Sequence, residues 1–217
     1  MPVNQRVKRI LLPGSGPRRV PFGIGAGVRM HVDFASQTRT YLGLYEIEVS
    51  RFLRGVLKRG VRALDVGGQH GYDSLLIAQR TRAPVATFEA DARCVDGMRE
   101  NFALNPHLAG LIEPVHAIVG DGAGETGLDD WTYDRGFEPD FIKLDIDGGE
   151  VAALRSAQRL LSERRPALLV EVHSAELERA CGALMMAHGY RPTIVNQRRL
   201  WPDRRPIEHN RWLVAAG

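Results

Sequence analysis

The chain has 217 residues, 44% hydrophobic and 25% charged, which is enough apolar material for one domain with a real core and too little length to require a second. Its 29 basic and 26 acidic side chains leave a net charge of +3 spread along the sequence, which argues against a dedicated nucleic-acid surface. No run is long and apolar enough for a membrane span, and the N-terminal segment has too short an apolar stretch for a secretory signal, so a cytoplasmic chain without stable membrane insertion is expected. Cys94 and Cys181 lie far apart, without zinc spacing or a disulfide framework, and are expected to be ordinary packing or surface thiols.

Residues 1–17 are polar and punctuated by Pro and Gly. A strand over Val28–Phe34, paired with an earlier one near Val20 across Gly23, Gly25 and Gly27, predicts a small accessory hairpin. Tyr45 to Lys58 carries Ile47, Val49, Phe52, Leu53, Val56 and Leu57 at helical spacing and is closed by Gly60. Strands are predicted at about 61–66, 85–89, 112–119, 140–146 and 167–173, with helices near 73–81, 91–104, 149–161 and 175–188. Continuous apolar strands alternating with amphipathic helices predict an α/β fold with a parallel sheet covered on both faces. Two last strands, near 190–196 and 211–215, are close enough in sequence to pair antiparallel. Residues 1–44 are thus expected to form an N-terminal extension with its hairpin, and 45–217 the main domain.

The stretch Ala63-Leu64-Asp65-Val66-Gly67-Gly68-Gln69-His70-Gly71-Tyr72 is an apolar strand that ends in an acid and breaks into glycines before a helix. Glu89 closes the next apolar strand about 20 residues on, the spacing of a nucleotide pocket. Glycines let backbone approach a ligand, the following helix offers free N–H groups, and an acid ending the second strand can bind both ribose hydroxyls. Gly67, Gly68 and Gly71 do not spell the dinucleotide G-x-G-x-x-G, and Asp65 sits just before them, one residue removed. Its carboxylate repels a pyrophosphate and attracts a ligand carrying an ammonium and a sulfonium, which favours S-adenosylmethionine over NAD.

A second acidic stretch, Asp140-Phe141-Ile142-Lys143-Leu144-Asp145-Ile146-Asp147-Gly148-Gly149-Glu150, ends the fourth strand of a sheet whose ligand crevice lies at the strands' carboxyl ends. The neighbouring strand, Ala167 to His173, also ends in an acid and a histidine. Asp145 and Glu171 are placed to face each other and share a hard cation or a substrate hydroxyl. Lys143 has the parity of Asp145, so an internal ion pair competes with that role. Asp147 and Glu150 are equally well read as caps of the following helix.

The ordered set DVGGQHGY, FEAD with NFALNP, DFIKLDIDGGEVAALRSAQRLL and RPALLVEVHS, together with Tyr41-Leu42-Gly43-Leu44-Tyr45-Glu46 upstream, resembles the FkbM-type family of S-adenosylmethionine-dependent methyltransferases over roughly residues 28–190. The resemblance implies a single Rossmann-like class I methyltransferase domain with a mostly parallel seven-stranded sheet. It further implies that Asp65, Gly67 and Gly71 hold the methionine portion, Glu89 the ribose, and the backbone from Ala117 and Ile118 to Val119 the adenine, with Ala90 also at the cofactor. Tyr45 and Glu46, opening the helix before the first strand, would help close over the cofactor. His70, Gly68-Gln69 and Asp147-Gly148-Gly149 depart from the family's usual residues and bear on the acceptor.

Family members methylate hydroxyls of sugars and natural products, so a small-molecule or oligosaccharide acceptor is implied. A sugar hydroxyl needs a general base or a metal, and oxygen ligands such as Asp145 and Glu171 suit Mg²⁺, Ca²⁺ or Mn²⁺. His173, two residues beyond Glu171 on the same side of the strand, is the alternative base, and His70 a weaker one. Gln37 to Tyr41, Trp131-Thr132-Tyr133, Trp201 and His209 are candidate acceptor contacts. The N-terminal hairpin and the Arg-rich tail from Arg191 to Pro206 fit either a homodimer contact or an acceptor lid. An NAD(P)-binding oxidoreductase and a non-catalytic relic of a cofactor site are the competing readings. The first is opposed by Asp65 and by the lack of a Tyr-x-x-x-Lys pair, the second by the acids at 89, 145 and 171.

Overall fold

A computed structural model of the chain describes residues 14–34, 36–197 and 210–217. In chain order its elements are β1 (Gly16–Arg19), β2 (Arg29–Val32), α1 (Thr38–Tyr41), a 3-10 turn (Ile47–Val49) running into α2 (Ser50–Val56), β3 (Ala63–Val66), α3 (Tyr72–Thr81), β4 (Val85–Glu89), α4 (Ala92–Ala103), α5 (Pro106–Ala109) and β5 (Ile112–His116). Then follow α6 (Leu128–Arg135), β6 (Phe141–Leu144), α7 (Glu150–Arg155), a π-helical turn (Leu160–Arg164), β7 (Ala167–Val172), α8 (Ala175–Ala187), β8 (Thr193–Val195) and β9 (Arg211–Ala215). β1 and β2 form the antiparallel hairpin expected from the glycine-rich N-terminal segment.

The main sheet has seven strands in the order β5-β4-β3-β6-β7-β9-β8. β3 to β7 run parallel, and β9 enters antiparallel between β7 and β8. Helical crossovers keep the parallel strands buried on both faces, so their sequences are apolar at both parities. One face packs Leu64, Val66, Ala86, Phe88, Ile142, Leu144, Leu168 and Val170 against residues of α6, α7 and α8. The other packs Ala63, Val85, Phe141 and Leu169 against α3, α4 and the hairpin residues Val28, Met30 and Val32. Burying each such side chain contributes roughly 1.5–3 kcal/mol before the chain entropy is set against it.

Alternation along the strands has a chemical consequence. On the face that holds Ala63 and Phe141, the next inward position of each strand is polar: Asp65 on β3, Thr87 on β4, Lys143 on β6 and Glu171 on β7, all buried. Thr87 and Lys143 are the register partners of Asp65 on either side. The core is therefore apolar at the amino ends of these strands and polar at their carboxyl ends, where α3 and the segment around Glu46 cover it.

Several boundaries differ from the expectation. The helix expected from Tyr45 begins only at Ile47, because Glu46 takes a left-handed conformation (φ 46°, ψ 35°), and it ends at Val56. The helix expected over 149–161 stops at Arg155 and turns before the π-helical segment, where Asp129 accepts the N–H groups of Arg159 (2.7 Å) and Leu160 (2.9 Å). α6 was not foreseen: its buried residues are only Leu128, Trp131 and Thr132, and its signal is the acidic pair Asp129 and Asp130 in the first turn with Arg135 in the last. Among the described residues no helix is long and apolar enough to cross a membrane.

Candidate active site at the strand ends

The loop from Gly67 to Gly71 is shaped by backbone that side chains would block. Gly67 has φ +94°, and a methyl group there would overlap the carbonyl oxygen of Asp145. The N–H groups of Gly67 and Gly68 donate to the carbonyl of Phe88 at 2.9 and 3.0 Å. Gly71, at φ +79°, leads into α3 with no room for a Cβ beside Phe102 and Met98. Gln69 is also left-handed (φ 44°), and its N–H donates to a carboxylate oxygen of Glu89 at 2.8 Å. The other oxygen of Glu89 accepts the N–H of Asp91 at 2.9 Å. Loop and second-strand acid are thus one unit, with the half-buried Glu89 fixed at the crevice.

Beneath this loop a single ammonium organises the acids. Lys143 is buried, with Nζ 3.0 Å from Asp73, 3.2 Å from Asp145 and 3.9 Å from Glu46. Burial works to lower its pKa, but Asp73, Glu46, Asp145 and Asp65 outweigh that and hold it well above the usual lysine value. Asp65 is fully buried; one oxygen accepts from the Ser74 hydroxyl at 2.6 Å, and the other has no hydrogen-bond partner. Burial pushes its pKa up to about 6, against the pull of Lys143. Burial likewise raises Glu46 well above the carboxylate range and Tyr45 above the phenol range. Four acids around one cation leave this buried cluster with an excess of potential negative charge.

The third group lies at the ends of β6 and β7. Asp145, Glu171 and His173 each offer a ligand atom, and these atoms lie within 4.8 Å of one another. His173 Nε2 is 3.4 Å from Glu171 Oε1, 3.4 Å from Asp147 Oδ1 and 3.9 Å from Asp145 Oδ1, while Nδ1 is 3.7 Å from Glu150 Oε1. Glu171 also accepts from the Trp212 indole N–H at 3.2 Å. Glu150, fully buried, takes the N–H groups of Ile146 and Gly148, so it secures the loop before its own helix as well as facing the imidazole. Glu150 first, then Glu171, raise the His173 pKa to about 10. With no cation among these acids, the surrounding carboxylates favour the charged imidazole.

Both ring nitrogens of His173 are shielded from solvent and form no hydrogen bond, although four carboxylates surround the ring. That donor set, two carboxylates and an imidazole at the lip of a crevice, fits a divalent cation.

The remaining expected residues distribute as follows. Ala90 is exposed next to Glu89, and its carbonyl lies 3.1 Å from Nε2 of His116. The N–H of Ala117 donates to the Glu89 carbonyl at 3.0 Å, and Ile118 follows with 58% of its surface exposed. Tyr45 packs edge-on against Tyr72 with ring centroids 6.0 Å apart, and it precedes a helix rather than opening one.

Other candidates go elsewhere. Trp131 is core, buried between Phe88 and Phe137, so it does not line an acceptor site. Tyr133 is exposed on α6 under the guanidinium of Arg159. Gln37 and Thr38–Tyr41 form a short helical turn, and His70 is exposed, its carbonyl taken by Asn101. Trp201, His209 and most of the Arg-rich tail lie outside the described residues. Asp73 was not singled out in the sequence: it is a first-turn acid of α3 whose contact with Lys143 depends on how that helix lies over β6.

A family model described as the methyltransferase FkbM domain matches residues 125–197, about a third of the chain and the part that holds Asp145, Glu171 and His173. The resemblance to FkbM-type methyltransferases holds. An FkbM methyltransferase structure from Methylobacillus flagellatus KT is similar in fold, with a TM-score of 0.61 and 20% identity over 72% of this chain; that likeness spans only 43% of the other chain. Aeropyrum pernix fibrillarin, solved with natively bound S-adenosylmethionine, is similar over 74% of this chain and 68% of its own (TM-score 0.53, 16% identity). An S-adenosylmethionine-dependent O-methyltransferase from Thermotoga maritima is similar over 78% and 64% (TM-score 0.57, 12% identity). No curated protein sequence matches. The FkbM-like chain therefore carries the Rossmann-like methyltransferase fold, including the antiparallel strand β9 that distinguishes its sheet from a plain dinucleotide fold.

Proposed function

We propose that this chain is an S-adenosylmethionine-dependent O-methyltransferase acting on a hydroxyl of a sugar, glycoside or oligosaccharide. The observation that carries the reading is the convergence of Asp145, Glu171 and His173 at the ends of β6 and β7, on the same crevice as the glycine loop and Glu89. Glu89 would bind the ribose hydroxyls, and the Ile118 face would take the adenine. The acids gathered around Lys143 would favour the ammonium and sulfonium ends.

Bound adenosylmethionine supplies an electrophilic methyl group on a positively charged sulfur with a good leaving group. The task left to the protein is alignment and removal of one proton. The acceptor oxygen forms its bond to the methyl carbon as the carbon–sulfur bond breaks, and the hydroxyl proton passes to a nearby carboxylate or through water. A divalent cation held by Asp145 and Glu171 would supply Lewis-acid help in lowering the hydroxyl pKa. Asp145 is arranged for such a part, with one oxygen anchored on the Lys143 ammonium and the other turned toward His173.

The test is radiolabelled methyl transfer from adenosylmethionine to a panel of sugars, glycosides and glycans, with and without chelator. Calorimetry with adenosylmethionine, adenosylhomocysteine and NAD on the same protein completes it. Transfer to a hydroxyl acceptor, lost on chelation, is the expected result. Binding of NAD with no affinity for adenosylmethionine would overturn the cofactor assignment, and transfer to nitrogen or carbon acceptors alone would overturn the O-methylation.

A further inference from the structure

We infer that His173 is a metal ligand through Nε2, held in that role by Glu150 as a positioning residue, so that this site prefers a first-row transition ion over Mg²⁺ or Ca²⁺. The inference rests on the proposal above that a divalent cation sits at Asp145 and Glu171, and changes which cation that is.

The two edges of the imidazole face different partners. Nε2 faces Glu171 Oε1 and Asp147 Oδ1, each at 3.4 Å, and Asp145 Oδ1 at 3.9 Å. Nδ1 faces Glu150 Oε1 at 3.7 Å. Glu150 is itself fixed: Gly148 N–H reaches both of its oxygens at 3.2 and 3.0 Å, and Ile146 N–H reaches Oε1 at 3.4 Å. A carboxylate immobilised beside one imidazole nitrogen keeps the proton there and leaves the other nitrogen's lone pair for a metal.

Metal–ligand bonds of about 2.0–2.2 Å place adjacent donor atoms roughly 3–3.5 Å apart, so the Glu171 and Asp147 spacings already match and Asp145 needs a small movement. Asp147 is left-handed (φ 45°) and exposed, at the open side of the group, where a ligand can exchange with an acceptor oxygen. Asp145 is confined to one oxygen toward this group, because Lys143 takes the other. A nitrogen donor with few oxygens disfavours Ca²⁺, which takes 6–8 oxygen ligands, and Mg²⁺, which keeps its waters. It suits the ions that bind imidazole well.

The test is metal binding by the purified full chain, followed for Mn²⁺ by electron paramagnetic resonance and for Mn²⁺, Co²⁺ and Mg²⁺ by calorimetry. One site per chain is expected, with Mn²⁺ and Co²⁺ bound at least roughly tenfold more tightly than Mg²⁺. His173→Gln should weaken Mn²⁺ and Co²⁺ by roughly 10–100-fold and Mg²⁺ by less than about threefold. Long-range nitrogen–proton spectra of the wild type loaded with Zn²⁺ should show Nδ1 protonated and Nε2 metal-bound. That measurement needs no variant, and in Glu150→Gln the Nδ1 proton signal should shift while the thermal response to adenosylmethionine persists.

Equal affinity for Mg²⁺ and Mn²⁺, unchanged Mn²⁺ affinity in His173→Gln, binding through Nδ1, or no Mn²⁺ binding at all would each overturn the inference. A thermal shift with adenosylmethionine on the same samples keeps the two readings apart. If the shift is present and any of those four results appears, only the metal inference falls, whereas an absent shift defeats the cofactor assignment itself.

Discussion

Asp65 and Lys143 are register partners on adjacent parallel strands, and both side chains are buried. Neither group is satisfied by the other alone: Lys143 bonds Asp73 and Asp145, and Asp65 bonds Ser74. Asp65 therefore keeps a raised pKa of about 6, with burial as the chief cause. Because the folded value lies above the unfolded one, the folded chain binds this proton more tightly. Its contribution to stability is complete below about pH 4 and is lost as the pH rises through about 6, an effect of about 3 kcal/mol. Asp65→Asn should accordingly gain stability relative to the wild type between pH 4 and pH 7 in urea denaturation of the ligand-free chain. Parallel pH curves for the two proteins would refute the assignment.

Lys143 neutralises the acids that no other described cation approaches this closely. Lys143→Met keeps the stem and removes the charge, leaving Asp73, Asp145 and Glu46 facing one another in a buried place. The expected cost is about 3–5 kcal/mol at pH 8 and clearly less at pH 5, where Glu46 and Asp65, raised by burial, take up protons. Denaturation at the two pH values measures it. An equal loss at both would mean that Lys143 acts by packing rather than by charge.

Much of this fold and site was readable because the signals are local or strictly periodic. The strand at Ala63–Val66, its glycine break and the acid at Glu89 are fixed by backbone needs that few residues meet, and the structure places them as the spacing requires. Parity alone put Lys143 on the side of Asp145. What escaped depends on packing between elements distant in sequence. The contact of Asp73 with Lys143 is set by the tilt of α3 over β6. The burial of Trp131 follows from α6, whose apolar stripe is too sparse to reveal a helix. Glu46 is expected from the sequence to open a helix, whereas its left-handed backbone places it before the helix, 3.9 Å from the ammonium.

Asn101 ties the N-terminal hairpin to the glycine loop, and Asn105 adds a second hold on the hairpin. Asn101 accepts the N–H of His31 at 2.7 Å and donates to the carbonyl of His70 at 2.8 Å. Asn105 accepts the N–H of Arg29 at 2.9 Å and donates to the carbonyl of the same residue. Their amides bond to β2 as a neighbouring strand would. Asn101→Ala leaves a part-buried donor and acceptor without partners and should cost about 1–3 kcal/mol. Hydrogen exchange should accelerate at His31 and in the Gly67–Gly71 loop together. Acceleration at His31 alone would show that the hairpin and the loop move independently.

In the proposed function Glu89 would recognise the ribose and the acids around Lys143 the charge. Both of its oxygens already accept backbone N–H groups, from Gln69 and Asp91, so its position is set before any ligand arrives and its remaining lone pairs are available to two hydroxyls. Glu89→Gln preserves shape but removes the charge and gives up an acceptor. Adenosylmethionine and adenosylhomocysteine share the ribose, so both should weaken by a similar factor, roughly 10–100-fold, as expected for losing about 1.5–3 kcal/mol of charged hydrogen bonding. Asp73→Asn, by contrast, removes a charge from the buried cluster and should weaken adenosylmethionine, which carries the sulfonium, more than its neutral-sulfur product. Calorimetry of the two ligands against both variants decides the matter. If Glu89→Gln discriminates between the ligands and Asp73→Asn does not, the ligand lies the other way round in the crevice.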